Sequence, residues 1–293
     1  MTIEILFCYQ IDVKIISRTS KKSKGLMYFS IMFKKWFAIL CILSFSVVIA
    51  QKITIEKKEF VALNATEFIG FDSFKNYFYI KDNVIYKKTD VELLQYQNLA
   101  LGKITKVDIL NPLKVIVFYE EFNSVIILDN FLNEIQKIEF SNLETPVVTS
   151  AMGISGQNKL WLFNTLNQQI GLYDLTTNQY QNLGIPINDG FQYYQTDFNY
   201  FHWIDKQNNW FTCTIFGRII ANGKTEFATK SKFISENKML FSKDDKLYLS
   251  DLSTSKTYEI EIVEKTFQKF YYKDQILSIF TDQGITNYKI TLP

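Results

Sequence analysis

Beyond residue 50 the chain carries one histidine (His202), one arginine (Arg218) and one cysteine (Cys213), and that scarcity bounds most of its possible chemistry. His202 stands in the run Tyr200-Phe201-His202-Trp203. To work as a base it needs a nucleophile to serve and a carboxylate to orient it. No such set lies near it in sequence, so an aromatic-flanked strand histidine reads as structural. One histidine and one cysteine argue against histidine- or thiolate-based metal sites, and Cys213 has no partner for an intrachain disulfide. A lone arginine cannot build the guanidinium cluster with which propeller sialidases grip a sugar carboxylate. With no Gly-rich phosphate loop and no EF-hand spacing, no cofactor or metal is expected.

Carboxylates are plentiful, and a pair of them is the minimum for glycoside hydrolysis. The adjacent pairs Glu120-Glu121 and Asp244-Asp245 fall where hairpin turns are predicted, and acids in turns are usually solvated. Asp129, Asp174 and Asp251 recur at equivalent places, each at the end of a predicted strand. That recurrence suits turn initiation, in which the side chain accepts hydrogen bonds from backbone two residues on. No residue is singled out as catalytic.

The most distinctive feature is aromatic density. Phe191, Tyr193, Tyr194, Phe198, Tyr200, Phe201, Trp203, Trp210 and Phe211 crowd into about twenty residues, far above ordinary usage. Most are expected to pack inside the fold, but Tyr and Trp are also favoured at protein interfaces and on sugar-binding faces. Tyr193, Tyr194, Trp203 and Trp210, with Tyr271 from the similar run Phe270-Tyr271-Tyr272, form the candidate interaction surface. Tyr193 and Tyr194 are neighbours on a strand and point to opposite faces.

The elements that position these residues show a repeat. Six segments share one layout, a short apolar strand, a polar turn and a second strand, beginning at Asn76, Leu113, Asn158, Asn199, Asn237 and Asp274. Successive starts lie about 37 to 45 residues apart, the size of a four-stranded propeller blade. A strand is predicted before each hairpin, at 67–71, 104–110, 146–152, 191–198, 231–235 and 268–272. A further strand follows in most repeats, as at 132–140, 179–183 and 257–262. The last repeat lacks an outer strand and 53–61 is a spare one, so the N-terminal strand is expected to close the ring and remove its edges. The fold predicted is an all-β, six-bladed β-propeller, with a seven-bladed ring or a β-sandwich as the alternatives.

The first fifty residues belong to a different element. Met32 to Lys35 begins a basic start, Trp36 to Ile49 is apolar, and Val48-Ile49-Ala50 ends small before Gln51. That pattern is expected to be a secretory signal over 32–50, with cleavage between Ala50 and Gln51, and an uncleaved N-terminal anchor is the alternative. Residues 1–31 read as an upstream extension, with Met32 or Met27 as the initiator. Leu40 before Cys41 is unlike a lipoprotein signal. The domain organisation expected is 1–50 as extension plus signal and 51–293 as one propeller. The whole chain has a net charge of +2, but residues 1–50 hold seven of the 32 basic and two of the 30 acidic side chains. The remainder therefore has 25 and 28, a net of −3, and no basic run that marks a nucleic-acid partner.

The Ala50-Gln51-Lys52 junction, the Lys/Ile/Asn/Phe/Tyr-rich composition and the hairpin motifs together resemble exported periplasmic β-propellers of the Bacteroidetes. That group includes a plug of the type IX secretion translocon. The resemblance covers most of 51–293 and carries across no functional residue. It implies a periplasmic, non-catalytic interaction module that docks a cell-envelope protein, as subunit or plug of an outer-membrane translocon, without inserting in the membrane once the signal is removed. The alternatives are a carbohydrate-binding protein using Trp and Tyr platforms, Trp203 and Trp210 among them, or a carboxylate-based hydrolase or lyase with its site in the propeller channel.

Overall fold

The computed structural model describes residues 53–188, 190–225 and 230–292. The proposed signal, with Ala50 and Gln51, lies outside them. Six four-stranded antiparallel sheets account for every strand among the described residues. Blade 1 is β2–β5 (Glu67–Phe71, Tyr77–Lys81, Val84–Lys88, Leu93–Tyr96) and blade 2 is β6–β9 (Lys106–Asn111, Lys114–Tyr119, Ser124–Leu128, Glu134–Glu139). Blade 3 is β10–β13 (Thr149–Ser155, Lys159–Asn164, Gln169–Asp174, Gln179–Leu183) and blade 4 is β14–β17 (Tyr193–Thr196, Tyr200–Ile204, Asn209–Thr214, Ile219–Lys224). Blade 5 is β18–β21 (Lys230–Phe233, Lys238–Lys243, Lys246–Asp251, Lys256–Ile260). Blade 6 joins β22–β24 (Lys269–Lys273, Ile276–Thr281, Gly284–Thr291) to β1 (Thr54–Ala62). The chain is a six-bladed β-propeller, and the described residues hold no α-helix, only 3-10 turns at Leu99–Leu101 and Phe140–Asn142.

Turn chemistry sets the hairpins. Asp82-Asn83, Asp244-Asp245 and Asp274-Gln275 each place two consecutive residues at positive φ, the pattern of a two-residue turn whose twist matches the strands it joins. A second device recurs in longer loops: Asp72, Asp129 and Asp205 each accept two backbone N–H groups and the side-chain amide of an asparagine four residues on. Asp174 and Asp251 likewise accept from backbone two and three residues ahead. The recurrent aspartates are turn formers.

Between each pair of blades lies one apolar core. Strand β7 shows how the sequence builds it: Val115 through Tyr119 are all buried, with Val115, Val117 and Tyr119 facing blade 1 and Ile116 and Phe118 facing blade 3. A strand with a neighbour on both faces must be apolar throughout, and each such side chain contributes roughly 1.5–3 kcal/mol. The other four cores lie between blades 3 and 4, 4 and 5, 5 and 6, and 6 and 1. Ring closure is direct: β1 pairs with β24 from Thr54 opposite Thr291 to Ala62 opposite Gly284. Inner strands β2, β6, β10, β14, β18 and β22 neighbour one another in that order and back to β2, so they wall a central channel.

Candidate binding site in the central channel

The inner strands all begin on one face of the disc, here the entry face, and end on the other, the exit face. At the entry face the channel widens into a cavity of about 830 Å³, lined by the starts of β2, β14, β18 and β22 and by the segment before β6. Below it a second cavity of about 280 Å³ reaches inward. Tyr193, Ser231, Lys269 and Phe270 line both, so the two adjoin.

Five lysines and two acids line this funnel: Lys103, Lys106, Lys230, Lys232 and Lys269 against Glu67 and Asp108. Three of the lysines open an inner strand, Lys106 on β6, Lys230 on β18 and Lys269 on β22. Both acids are committed. Glu67 pairs with Lys269. Asp108 is buried and accepts N–H from Leu110 and Ile154, each at 2.9 Å, which clasps blade 2 to blade 3. Lys106 Nζ donates to the Met152 carbonyl at 2.9 Å and lies 3.9 Å from the centre of the Tyr194 ring. Lys230 Nζ donates to the Phe267 carbonyl at 3.0 Å, and desolvation lowers its pKa. Lys232 has its ammonium 5.5 Å from the centre of the Tyr271 ring and makes no ion pair with a described residue. Loss of water around it lowers its pKa to about 8; Lys106 and Lys269 push the same way, while Asp108 and Asp197 oppose.

Three of the five candidate aromatics reach this channel. Tyr193 packs on Phe233 of blade 5, whereas Tyr194 stacks on Phe201 and takes part in the core toward blade 3, as the alternation of a strand requires. The Tyr194 hydroxyl accepts from the Met152 N–H at 3.2 Å. Tyr271 crosses from blade 6 to blade 1, edge-on to Phe71, and its ring occupies the space a side chain at Gly70 would need. Burial raises the pKa of both Tyr193 and Tyr271. The two tryptophans do not join them. Trp203 and Trp210 are 2% and 1% exposed, because the second and third strands of a blade are covered on both faces. Neither presents a ring to a ligand, so the expectation of tryptophan platforms is corrected.

His202 is also buried, with Nδ1 2.8 Å from the Thr212 hydroxyl and Nε2 3.4 Å from Asp197. It lies within blade 4 against Phe233 and Trp210, away from the channel lining. Burial opposes the charge of Asp197, but the His202 contact and the N–H groups of Asn199 and Tyr200 outweigh it and hold the carboxyl below its usual range. Glu120-Glu121 and Asp244-Asp245 lie in exposed turns. No cluster of three metal-ligating side chains occurs among the described residues, and no helix among them is long and apolar enough to cross a membrane.

No protein-family model and no curated protein matches the chain. Among solved structures it is similar to virginiamycin B lyase of Staphylococcus aureus, at 12% identity and a TM-score of 0.53 over 83% of this chain and 100% of that one. It is similar in the same measure, at 12% identity and 0.54 over 83% and 100%, to a catalytically inactive histidine-to-alanine variant of that lyase with quinupristin. It also resembles PorZ, a surface component of the type IX secretion system of Porphyromonas gingivalis, at 9% identity and 0.44 over 79% of this chain and 37% of that one. The two lyase likenesses show the fold alone, and the third adds nothing to that.

Proposed function

We propose that the propeller is a non-catalytic docking module of the cell envelope, exported by the segment 32–50 and bound there to an envelope protein such as a secretion translocon. The observation that carries this reading is the exit face. In blades 1, 2 and 4 the loops joining first to second and third to fourth strands expose Phe74, Val91, Leu113, Phe131, Phe198 and Phe216, with Phe74 at 68% and Phe216 at 87%. Exposed aliphatic side chains occur on the entry face as well, among them Leu99, Leu166 and Ile185. Of the six phenylalanines exposed among the described residues, however, four, Phe74, Phe131, Phe198 and Phe216, lie on the exit face. Exposed aromatic side chains on one face are what a protein partner buries. Two further observations favour docking over catalysis: both channel carboxylates are already committed, to Lys269 and to backbone N–H groups, and the single histidine is enclosed. The buried state of Trp203 and Trp210 removes the tryptophan platforms from a glycan-binding reading.

The test is affinity purification of the tagged native protein from envelope extracts, beside a Phe74→Asp/Phe216→Asp variant. A stable envelope partner captured by the wild type and lost by the folded variant supports docking through this face. Wild-type protein that fractionates with the envelope but brings down no stable partner overturns the proposal.

A further inference from the structure

We infer that the entry-face funnel is a binding site for a small multivalent anion bearing carboxylate or phosphate groups, held chiefly by Lys103, Lys106, Lys230 and Lys232. This goes beyond the docking reading, which rests on the opposite face. The first argument is charge. The funnel lining has a net of +3, five lysines against two acids, in a domain whose net charge over 51–293 is −3. A cationic recess with low-dielectric walls on an otherwise acidic body focuses its field on anions that enter it.

The second argument is that these charges are unspent. Glu67 answers Lys269 and Asp108 is fixed by two backbone N–H groups, so no carboxylate of a described residue forms an ion pair with any of the four lysines. Lys106 and Lys230 each have only a carbonyl and an aromatic ring for their ammonium groups. Each ammonium keeps donors to spare. The third argument is shape. Adjoining cavities of about 830 and 280 Å³ match the size of small-molecule sites. Lysines act as compact point charges toward phosphate or carboxylate oxygens, and the channel contains no arginine to demand bidentate geometry.

Around Lys232 stand Lys106 and Asp108 from β6, Lys269 and Tyr271 from β22, and Asp197 from the loop after β14. An anion placed among them adds negative charge beside an ammonium that is partly neutral near pH 8. Binding there takes up a proton and weakens as pH rises above about 8.

The experiment is isothermal titration of the purified 53–293 propeller at low salt with citrate, with pyrophosphate and with glucose, in two buffers of different ionisation heat at pH 8. Lys103→Met and Lys232→Met proteins are titrated alongside. Saturable binding of citrate, pyrophosphate or both, with none of glucose, supports the site, and the preferred probe separates carboxylate from phosphate. Each methionine variant is expected to lose about tenfold or more in affinity, the weight of a charge-assisted hydrogen bond, and Lys232→Met to lose the proton uptake. Lys103 is exposed, so its variant tests the site without disturbing the channel wall. Absence of binding by either anion, or affinity unchanged in both variants, overturns the proposal.

Discussion

Replacing Lys232 by methionine is expected to make the propeller more stable at neutral pH. Its ammonium is drawn partly out of water in the channel, and this desolvation, reinforced by Lys106 and Lys269, lowers its pKa from 10.5 to about 8 against the pull of Asp108 and Asp197. Each tenfold loss of proton affinity corresponds to about 1.4 kcal/mol, so holding the charged form in the fold costs roughly 3 kcal/mol before solvent screening. The side chain keeps part of its surface open to the channel, which trims the cost to about 1–3 kcal/mol. Methionine retains much of the apolar stem and removes the charge. In a domain of this size each kcal/mol moves the melting temperature by about 2–4 °C, so a gain of several degrees at pH 7 is the expected reading in a thermal scan. The sign with pH follows from linkage. Between pH 8 and 10.5 the unfolded chain holds the Lys232 proton more tightly than the folded one, so wild-type stability rises with pH across that window. The gap between variant and wild type is therefore full below pH 8 and closes toward pH 10.5. A variant no more stable than wild type at pH 7, or a gap that persists undiminished at pH 10.5, refutes the account of Lys232 as a charge held at a cost.

Two further substitutions probe the ring and its cores. Gly284 sits at φ +146, directly beneath β1, where an added Cβ would run into the Val61 carbonyl oxygen. Gly284→Ala is expected to destabilise the fold by at least about 2 kcal/mol in urea unfolding, and an unchanged midpoint would contradict the register that closes the propeller. Trp203→Ala should lower stability by about 3–5 kcal/mol, the usual consequence of emptying a buried aromatic site; a neutral effect would mean that its ring is not enclosed.

The blade architecture was readable because its causes are local. Alternating apolar strands of five or six residues, separated by Asp and Asn turns, repeat at blade length, and the spare strand at 53–61 differs from β1 (Thr54–Ala62) by one residue at each end. What escaped the sequence was the outermost strand of blade 1, Leu93–Tyr96, and of blade 4, Ile219–Lys224. Leu93–Tyr96 is only four residues long, and Ile219–Lys224 runs through Asn222-Gly223, a pair that ordinarily marks a turn. Aromatic density was likewise legible, but its meaning was not. Tyr193, Tyr194 and Tyr271 lie on inner strands and reach the channel, whereas Trp203 and Trp210 lie one and two strands outward and are covered on both faces. Placement in the blade, not residue type, separates lining from core.

The lysine funnel was the least visible feature, since a lysine on a strand ordinarily reads as solvent-facing. Only closure of the ring brings Lys106 of blade 2 into one cavity with Lys232 of blade 5, two blades on opposite sides of a six-membered ring. The signal was nonetheless present: three of six inner strands begin with lysine. Their surroundings are held tightly. A Cβ at Gly153 would collide with Thr196 and approach Asp108 to 3.0 Å, and one at Gly70 would meet Tyr271 at 2.5 Å. These close approaches, with the Asp108 clasp across blades 2 and 3, fix the groups beside Lys106 and Lys232 before any ligand arrives. A site whose walls are already set spends little of its binding energy on ordering itself. Stability alone would favour apolar side chains where Lys230 and Lys232 stand, because burial draws their charge out of water and desolvated charge weakens the fold. Retained charge in a preorganised recess is therefore most economically explained by an anion that compensates it.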